Sequence, residues 1–262
     1  MEARAIFIDM DGTLLTNSNE ISERNMEAVS RLANQGVKVF LATGRQYEIT
    51  APYHAALGLK TPMICLNGAS IHDGITGNAI HTRQIHLDEE HFHYVTASVP
   101  CNIMIHTTDG LFCRQNSAEV AEWVKESGIP PRYIGDLRKA EYQHVLKYSI
   151  RTGAQSPELS RLFKDKGHVI DWEDGFEIVA PGVSKWSAIN KLLQAFRINS
   201  RETVAIGDGP NDLQMLQSAG TGVAMANAHP EVKAAADFIT THHQRDGLAE
   251  FIERYLINSF AV

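Results

Sequence analysis

Short unbroken apolar runs alternate along this chain with longer stretches in which apolar side chains return every three or four positions. Residues 5–8 (Ala-Ile-Phe-Ile), 39–42 (Val-Phe-Leu-Ala) and 204–206 (Val-Ala-Ile) are the clearest runs. Apolar at every position and only a few residues long, they predict strands buried on both faces, as in a parallel sheet. Between the first two runs the spacing changes to a helical one. Ser22 stands at an N-cap, Met26, Val29 and Ala33 share a face, and Gly36 lies just beyond the end. Residues 46–57 predict a second helix ended by Gly58, and residues 62–66 a third strand stopped at Asn67-Gly68. This βαβαβ order is the start of a doubly wound, mostly parallel sheet.

From about residue 82 to residue 181 the pattern is different. Strands are predicted at 102–106 and 111–114 around the turn Asp109-Gly110, and near 145–151, with helices at 117–127 and 157–166. Segments 169–172 and 176–179 read as a hairpin about Asp174-Gly175. After Pro181-Gly182 the first pattern returns: a helix from Lys185, a strand at 203–207, a helix from Asp212 ended by Gly220, a strand through 223–225, and a last helix from Gly247 to about 257. The expected fold is therefore α/β, with residues 1–81 and 182–262 forming one doubly wound domain and residues 82–181 an inserted α+β domain.

Composition narrows the function classes. With 262 residues and 44% apolar content the chain can bury a full core. A formal charge of -7 and the lack of any Lys/Arg-rich block argue against nucleic acid or an anionic membrane as partner. Nothing approaches the roughly 18 consecutive apolar residues that span a bilayer. The first apolar run is broken by Asp9 and Asp11, unlike a signal peptide, so a cytoplasmic protein is expected. The three cysteines lack Cys-x-x-Cys spacing and read as buried free thiols.

Four segments far apart in the chain carry the candidate chemistry: Asp9-Met10-Asp11-Gly12-Thr13, Thr43-Gly44-Arg45, Lys185, and Gly207-Asp208-Gly209-Pro210-Asn211-Asp212. Three of them follow directly on the apolar runs, so they meet at the carboxyl ends of parallel strands, where open α/β sheets bind ligands. In a regular strand Asp9 and Asp11 would face opposite ways, but Gly12 lets the chain turn. After such a turn one carboxylate can attack phosphorus while the other protonates the leaving group, and backbone groups from Met10 to Thr13 can hold an oxyanion. A calcium loop fits poorly, because the Gly stands fourth and no helix-flanked loop surrounds it. Asp208 and Asp212 add two acids. Four acids in one crevice would repel one another without a cation, and a hard dication, most simply Mg²⁺, is expected among them. A dinucleotide loop at Gly207-x-Gly209 fails because Asp212 occupies the third glycine position; Asp212 could also be a plain helix cap. Thr43 offers a hydroxyl and Lys185 a point charge to a phosphate, although a lone helical lysine is usually a surface residue.

Taken in order, these motifs resemble those of the haloacid dehalogenase-like phosphohydrolases, and an insert after the third strand resembles the large α+β cap of their Cof-type branch. The resemblance spans nearly the whole chain and implies a Rossmann-like core. It implies Asp9 as nucleophile, Asp11 as general acid/base, and Thr43 and Lys185 as phosphate binders; Met10, Gly12, Gly44, Arg45 and Asn211 are further candidate phosphate or substrate contacts. It also implies Mg²⁺ held by the Asp9 and Asp208 side chains and the Asp11 carbonyl, with Asn211 and Asp212 supporting metal and substrate in an unassigned order. Trp186 departs from the family, which commonly has Gly after the lysine; its spacing with Ile189, Leu193 and Phe196 reads as core.

The leading expectation is thus a Mg²⁺-dependent phosphatase for small phosphomonoesters, such as sugar phosphates or the phosphorylated cofactors pyridoxal phosphate and FMN. Lys147, Glu177 and Arg45 are candidate substrate contacts. A phosphomutase of the phosphomannomutase kind is the alternative, and would need a phosphate site among Arg132, Arg138 and Arg151. A binding protein that keeps the fold without turnover would have no use for the complete acid set. The histidines at 81, 86, 91, 93 and 106 lack a full zinc-ligand pattern and read as surface or packing residues.

Overall fold

The computed structural model describes residues 3–257. The chain divides into two compact units at Ile80/His81 and again at Val183/Ser184. In the first unit the strand Ala5–Ile8 is central. It pairs in parallel with Lys38–Leu41 on one side and Thr203–Gly207 on the other, and Thr221–Ala224 and Phe238–Ile239 extend the sheet outward. Beyond Lys38–Leu41 a parallel bridge from Ala42 to Ile64 brings in Met63–Cys65, which then pairs antiparallel with Ser70–His72.

Alternate residues of each strand feed two separate apolar layers, as a two-residue period demands. Ile6, Ile8, Val39, Leu41, Val204 and Ile206 pack with Ala28, Val29 and Leu32 of the helix Glu23–Asn34 and with Leu248, Phe251 and Ile252 near the chain's end. Ala5, Phe7, Phe40, Ala42 and Ala205 face the helices Lys185–Phe196 and Leu213–Ser218, with the Phe7 and Phe40 rings stacked at 4.8 Å. Trp186 packs against this second layer, in keeping with the core reading of its spacing. Because the sheet is covered on both sides, its central strands carry no polar face. Moving outward from the centre, the connections leave in opposite directions on the two sides of the Ala5–Ile8/Thr203–Gly207 pair, so a crevice opens at the carboxyl ends of these strands.

The second unit is built on a six-stranded sheet in the order His168–Trp172, Gly175–Val179, Val145–Arg151, Asn102–Thr107, Gly110–Cys113, Tyr133–Ile134, antiparallel except for the last pair. Its apolar face carries Ile103, Ile105, Tyr148, Ile150, Phe176 and Ile178, all buried, and the Phe92 ring lies 4.7 Å from Tyr148. One local expectation differs from the structure. The helix expected at 157–166 is only Pro157–Arg161, because Lys164-Asp165-Lys166 offers no apolar face for another turn once Phe163 is buried. A helix at Glu89–Ala97, capped by Asp88 through the His91 amide, carries His91 and His93 and was not legible as one.

The opposite face of this sheet holds a polar network that is almost wholly buried. Lys147 Nζ donates to Glu177 Oε1 at 2.6 Å, Ser149 Oγ donates to the same oxygen at 3.1 Å, and His106 Nε2 lies 3.2 Å from Ser149 Oγ. Burial alone would push the Glu177 carboxyl up, but the charges of Lys147 and Arg151 bring it down to about 2 from an ordinary value of 4.5. A depressed carboxyl contributes stability that is fully present above the unfolded value and is lost as pH falls through the folded one. We therefore expect the second unit to lose about 3 kcal/mol as pH falls from about 4.5 to 2. Urea titrations over that window should show the slope in the native chain and a flatter one in Glu177→Gln.

All three cysteines are free, and burial raises the Cys65 thiol to about 12. No helix among the described residues is long and apolar enough to cross a membrane.

Candidate active site

The chain leaves the central strand at Asp9, whose N–H still donates to Ile206 O at 3.0 Å, and then winds through a wide turn, Met10–Leu14, closed by a 2.9 Å hydrogen bond from Leu15 N–H to Met10 O. Two residues inside it are not helical: Asp11 is extended and Gly12 is left-handed at φ +72°. Gly12 is also in close approach, since a Cβ there would lie 2.2 Å from Asp208 Oδ2. Thr13, fully buried, donates from Oγ1 to Asp208 Oδ1 at 3.3 Å. Met10 points its side chain into the apolar core beneath.

On the neighbouring strand end, Gly207 lets the carboxylate of Asp212 tuck under the loop; a Cβ at 207 would sit 2.4 Å from Asp212 Cγ. Asp212 is completely buried. Its Oδ2 accepts from the amides of Asp208 and Gly209, both at 3.0 Å, and its Oδ1 accepts from Lys185 Nζ at 2.6 Å. The same ammonium donates to Asp9 Oδ1. Lys185 is presented at the first turn of its helix, whose N-cap Ser184 is locked by reciprocal bonds with Ser187. Burial would lower this lysine, but Asp212 and Asp9 outweigh it and drive it well up, so it stays charged.

Carboxylate oxygens of Asp9, Asp208 and Asp212 all lie within 4.8 Å of one another. Burial, then the charge of Asp212, raises the Asp208 carboxyl to about 7, and the same two causes raise Asp9 well above its ordinary value despite Lys185. Three carboxylates face one ammonium. The cluster is thus short of positive charge by what one divalent cation carries, and every donor in it is a hard oxygen. The residues therefore fit Mg²⁺. Among the described residues Asp212 accepts three hydrogen bonds, Asp208 two and Asp9 one, so Asp9 and Asp208 have the more lone-pair capacity left to offer.

The third segment gathers beside them. Thr43 is buried, and its Oγ1 accepts from Arg45 N–H at 3.1 Å. Arg45 grips Asp11 with a two-pronged pair, Nε to Oδ2 at 2.9 Å and Nη2 to Oδ1 at 2.7 Å, and reaches Asn19 Oδ1 at 3.0 Å. The Asp11 side chain, about half exposed, pairs with Arg45 and is not one of the three clustered acids, although its charge still acts on Asp9 and Asp208. Gly44 lies against Asn67, and Asn211 Nδ2 donates to Asn67 Oδ1 at 2.9 Å. Lys147 and Glu177 pair with each other in the second unit's sheet.

Two residues of this site went unnoticed in the sequence. In the sequence Asn67 reads only as a strand stop. It is buried, and with Leu66 it adopts a left-handed backbone, φ +57° and +50°, a strained pair for non-glycine residues. Asn227, half-buried after the strand Thr221–Ala224, donates from Nδ2 to Gly12 O at 2.8 Å and to Asp208 Oδ2 at 3.1 Å. An Asn-Gly pair was the available signal for the first; nothing local flagged the second.

The tight contact at Gly12 makes a clear prediction. Gly12→Ala strains the left-handed turn and displaces Asp208, with a stability cost of about 1–2 kcal/mol and a loss of turnover of about 100-fold. Denaturant titration and steady-state phosphate release measure the two effects separately.

The haloacid dehalogenase-like hydrolase family matches residues 6–252. Pyridoxal phosphate phosphatase YbhA of Escherichia coli is 29% identical over 98% of this chain and 100% of its own length. The 5-amino-6-(5-phospho-D-ribitylamino)uracil phosphatase YitU of Bacillus subtilis is also 29% identical, over 95% of this chain and 96% of its own. Among solved structures, a haloacid dehalogenase-like hydrolase from Bacteroides thetaiotaomicron superposes with a TM-score of 0.81 at 28% identity, covering 97% of this chain and 99% of that one. By fold and by sequence alike, the chain belongs to the haloacid dehalogenase-like hydrolases, in their Cof-type branch, and is a phosphoric monoester hydrolase.

Proposed function

We propose that this enzyme is a Mg²⁺-dependent phosphatase that hydrolyses small phosphorylated metabolites through an aspartyl-phosphate on Asp9. The observation that supports it most is the buried cluster at the end of the central strand, where Asp9 shares one lysine with Asp212 beside Asp208. In this reading Asp9 and Asp208 hold the Mg²⁺ with the Asp11 backbone carbonyl, and Asp212 positions Lys185 and the Asp208–Gly209 amides. When bound, the ion supplies the missing positive charge and screens the approach of an anionic phosphate to an anionic nucleophile.

The free Oδ of Asp9 attacks phosphorus in line, and the bond to the leaving oxygen breaks. Lys185 and the Thr43 hydroxyl bind equatorial phosphate oxygens, with Gly44 and Asn211 lining the same site. Asp11 gives the leaving oxygen its proton and takes one back from the water that cleaves the acyl phosphate. Its carboxylate is committed to Arg45, so proton transfer needs the side chain to rotate off the guanidinium. The unit His81–Val183 selects the organic part of the substrate in this proposal.

The relatives' names carry pyridoxal phosphate and a phosphorylated ribitylaminouracil. On that likeness we propose substrates of the same size and kind: phosphorylated cofactors and their precursors, or sugar phosphates. A phosphomutase gains nothing from the geometry: Arg132 serves the Asp109 carbonyl, Arg138 pairs with Asp136, and Arg151 with Asp174 and Glu177. The test is phosphate release over a panel of such metabolites with Mg²⁺, after EDTA, and after Mg²⁺ is restored. Release that stops and returns supports the reading. Release indifferent to chelation, or none from any phosphomonoester, overturns it.

A further inference from the structure

The side chain of Asn227 ties three loops together. Its Oδ1 accepts the backbone N–H of His243 at 3.1 Å. A backbone N–H can only donate, so the amide oxygen is pinned there and the Nδ2 group must point the other way. Both Nδ2 hydrogens are used, one on Gly12 O at 2.8 Å and one on Asp208 Oδ2 at 3.1 Å. His243 in turn is buried and its Nδ1 lies 2.8 Å from Leu15 O, anchoring the far end of the same turn that begins at Asp9. Asp208 is held from the other side by Thr13 Oγ1 on its Oδ1. Each of its oxygens thus has one protein donor and lone-pair capacity left over.

We infer that Asn227 is a positioning residue for the reaction: it fixes the direction of the Asp208 carboxylate against the Gly12 turn, and with it the affinity for the divalent cation. The inference rests on the reading of Asp208 as a ligand. Its chemistry explains why an amide stands here. A lysine or arginine at this distance would neutralise Asp208 and remove the charge deficit that calls for a dication, while an alanine would leave the carboxylate free to turn and the His243 amide without its acceptor. A neutral donor orients the ligand and leaves its charge intact. Groups that orient first ligands in this way typically govern metal affinity by 10–100-fold.

The experiment is calorimetric titration of Mg²⁺ into the full chain, without substrate, for the native protein and Asn227→Ala, with unfolding in EDTA followed alongside. The expected result is a Kd for Mg²⁺ raised about 10–100-fold in Asn227→Ala, with cooperative unfolding retained and turnover partly restored by excess Mg²⁺. An unchanged Kd with a lowered unfolding midpoint would show a merely structural role and overturn the inference. If Asn227→Ala does not fold, Asn227→Ser leaves a small hydroxyl too short to bridge both acceptors, and an unchanged Kd there overturns it equally. No Mg²⁺ binding by the native chain would instead sink the ligand reading of Asp208, before any substitution is made.

Discussion

Asp9→Asn will remove turnover of every phosphomonoester the native enzyme accepts, by about 10⁴-fold or more, the scale at which enzymes lose a covalent nucleophile. The amide has nearly the same shape, so sterics do not enter. What it lacks is the nucleophilic lone pair on a charged oxygen, and one of the three charges that Lys185 and a cation are set to balance. The fold should tolerate the change and even gain from it. Asp9 is held well above its ordinary range by burial and by the charge of Asp212, so its ionised form is a burden on the folded state. A raised carboxyl contributes stability that is present at low pH and is lost as pH rises through the folded value. The Asn variant should therefore be at least as stable as the native, cation-free chain at neutral pH, and the margin should shrink on acidification. Steady-state kinetics and urea titrations at two pH values check both halves.

Lys185→Met is the second large effect and has the opposite signature. The methionine fills the same channel, yet Asp9 and Asp212 lose the one cation between them while staying buried. Breaking a buried pair by removing one partner costs about 3–5 kcal/mol, and here one lysine serves two acids. The cost should be largest at neutral pH and fall on acidification, when the acids can protonate. Because Asp212 also holds the Asp208 and Gly209 amides, the Asp208 loop loosens with it. Turnover should fall about 10³-fold, even in Mg²⁺ high enough to repay part of the stability. Denaturant unfolding with and without the ion, together with kcat, separates the structural from the chemical loss.

Much of this molecule was legible in its sequence for identifiable reasons. The central strands are buried on both faces, so Ala5–Ile8, Lys38–Leu41 and Thr203–Gly207 stand out as apolar runs, and the acids that follow them are conspicuous at strand ends. The helix Glu23–Asn34 shows its cap and stripe because one face meets core and the other meets water. Where those conditions fail, so does legibility. Glu89–Ala97 mixes His91, His93 and a largely exposed Tyr94 with its buried Phe92 and Val95, which blurs the stripe. The edge strands Phe238–Ile239 and Tyr133–Ile134 are two residues long, too short for any period. In the site, residues that act through charge at a strand end could be singled out. Those joined to the site only by hydrogen bonds across the fold could not: Asn67 and Asn227 are ordinary amides until the fold sets them against Asn211, Gly12 and Asp208. The grip of Arg45 on Asp11 likewise joins segments more than thirty residues apart, and no local pattern encodes it.

The transfer of phosphorus onto Asp9 can be tested without waiting for an intermediate to accumulate. Hydrolysis of a substrate made chiral at phosphorus with oxygen isotopes and sulfur, carried out in isotopically distinct water, records how many in-line displacements occur. Two displacements, onto Asp9 and then onto water, predict net retention of configuration; net inversion would mean that water attacks the substrate directly and that Asp9 is not the nucleophile.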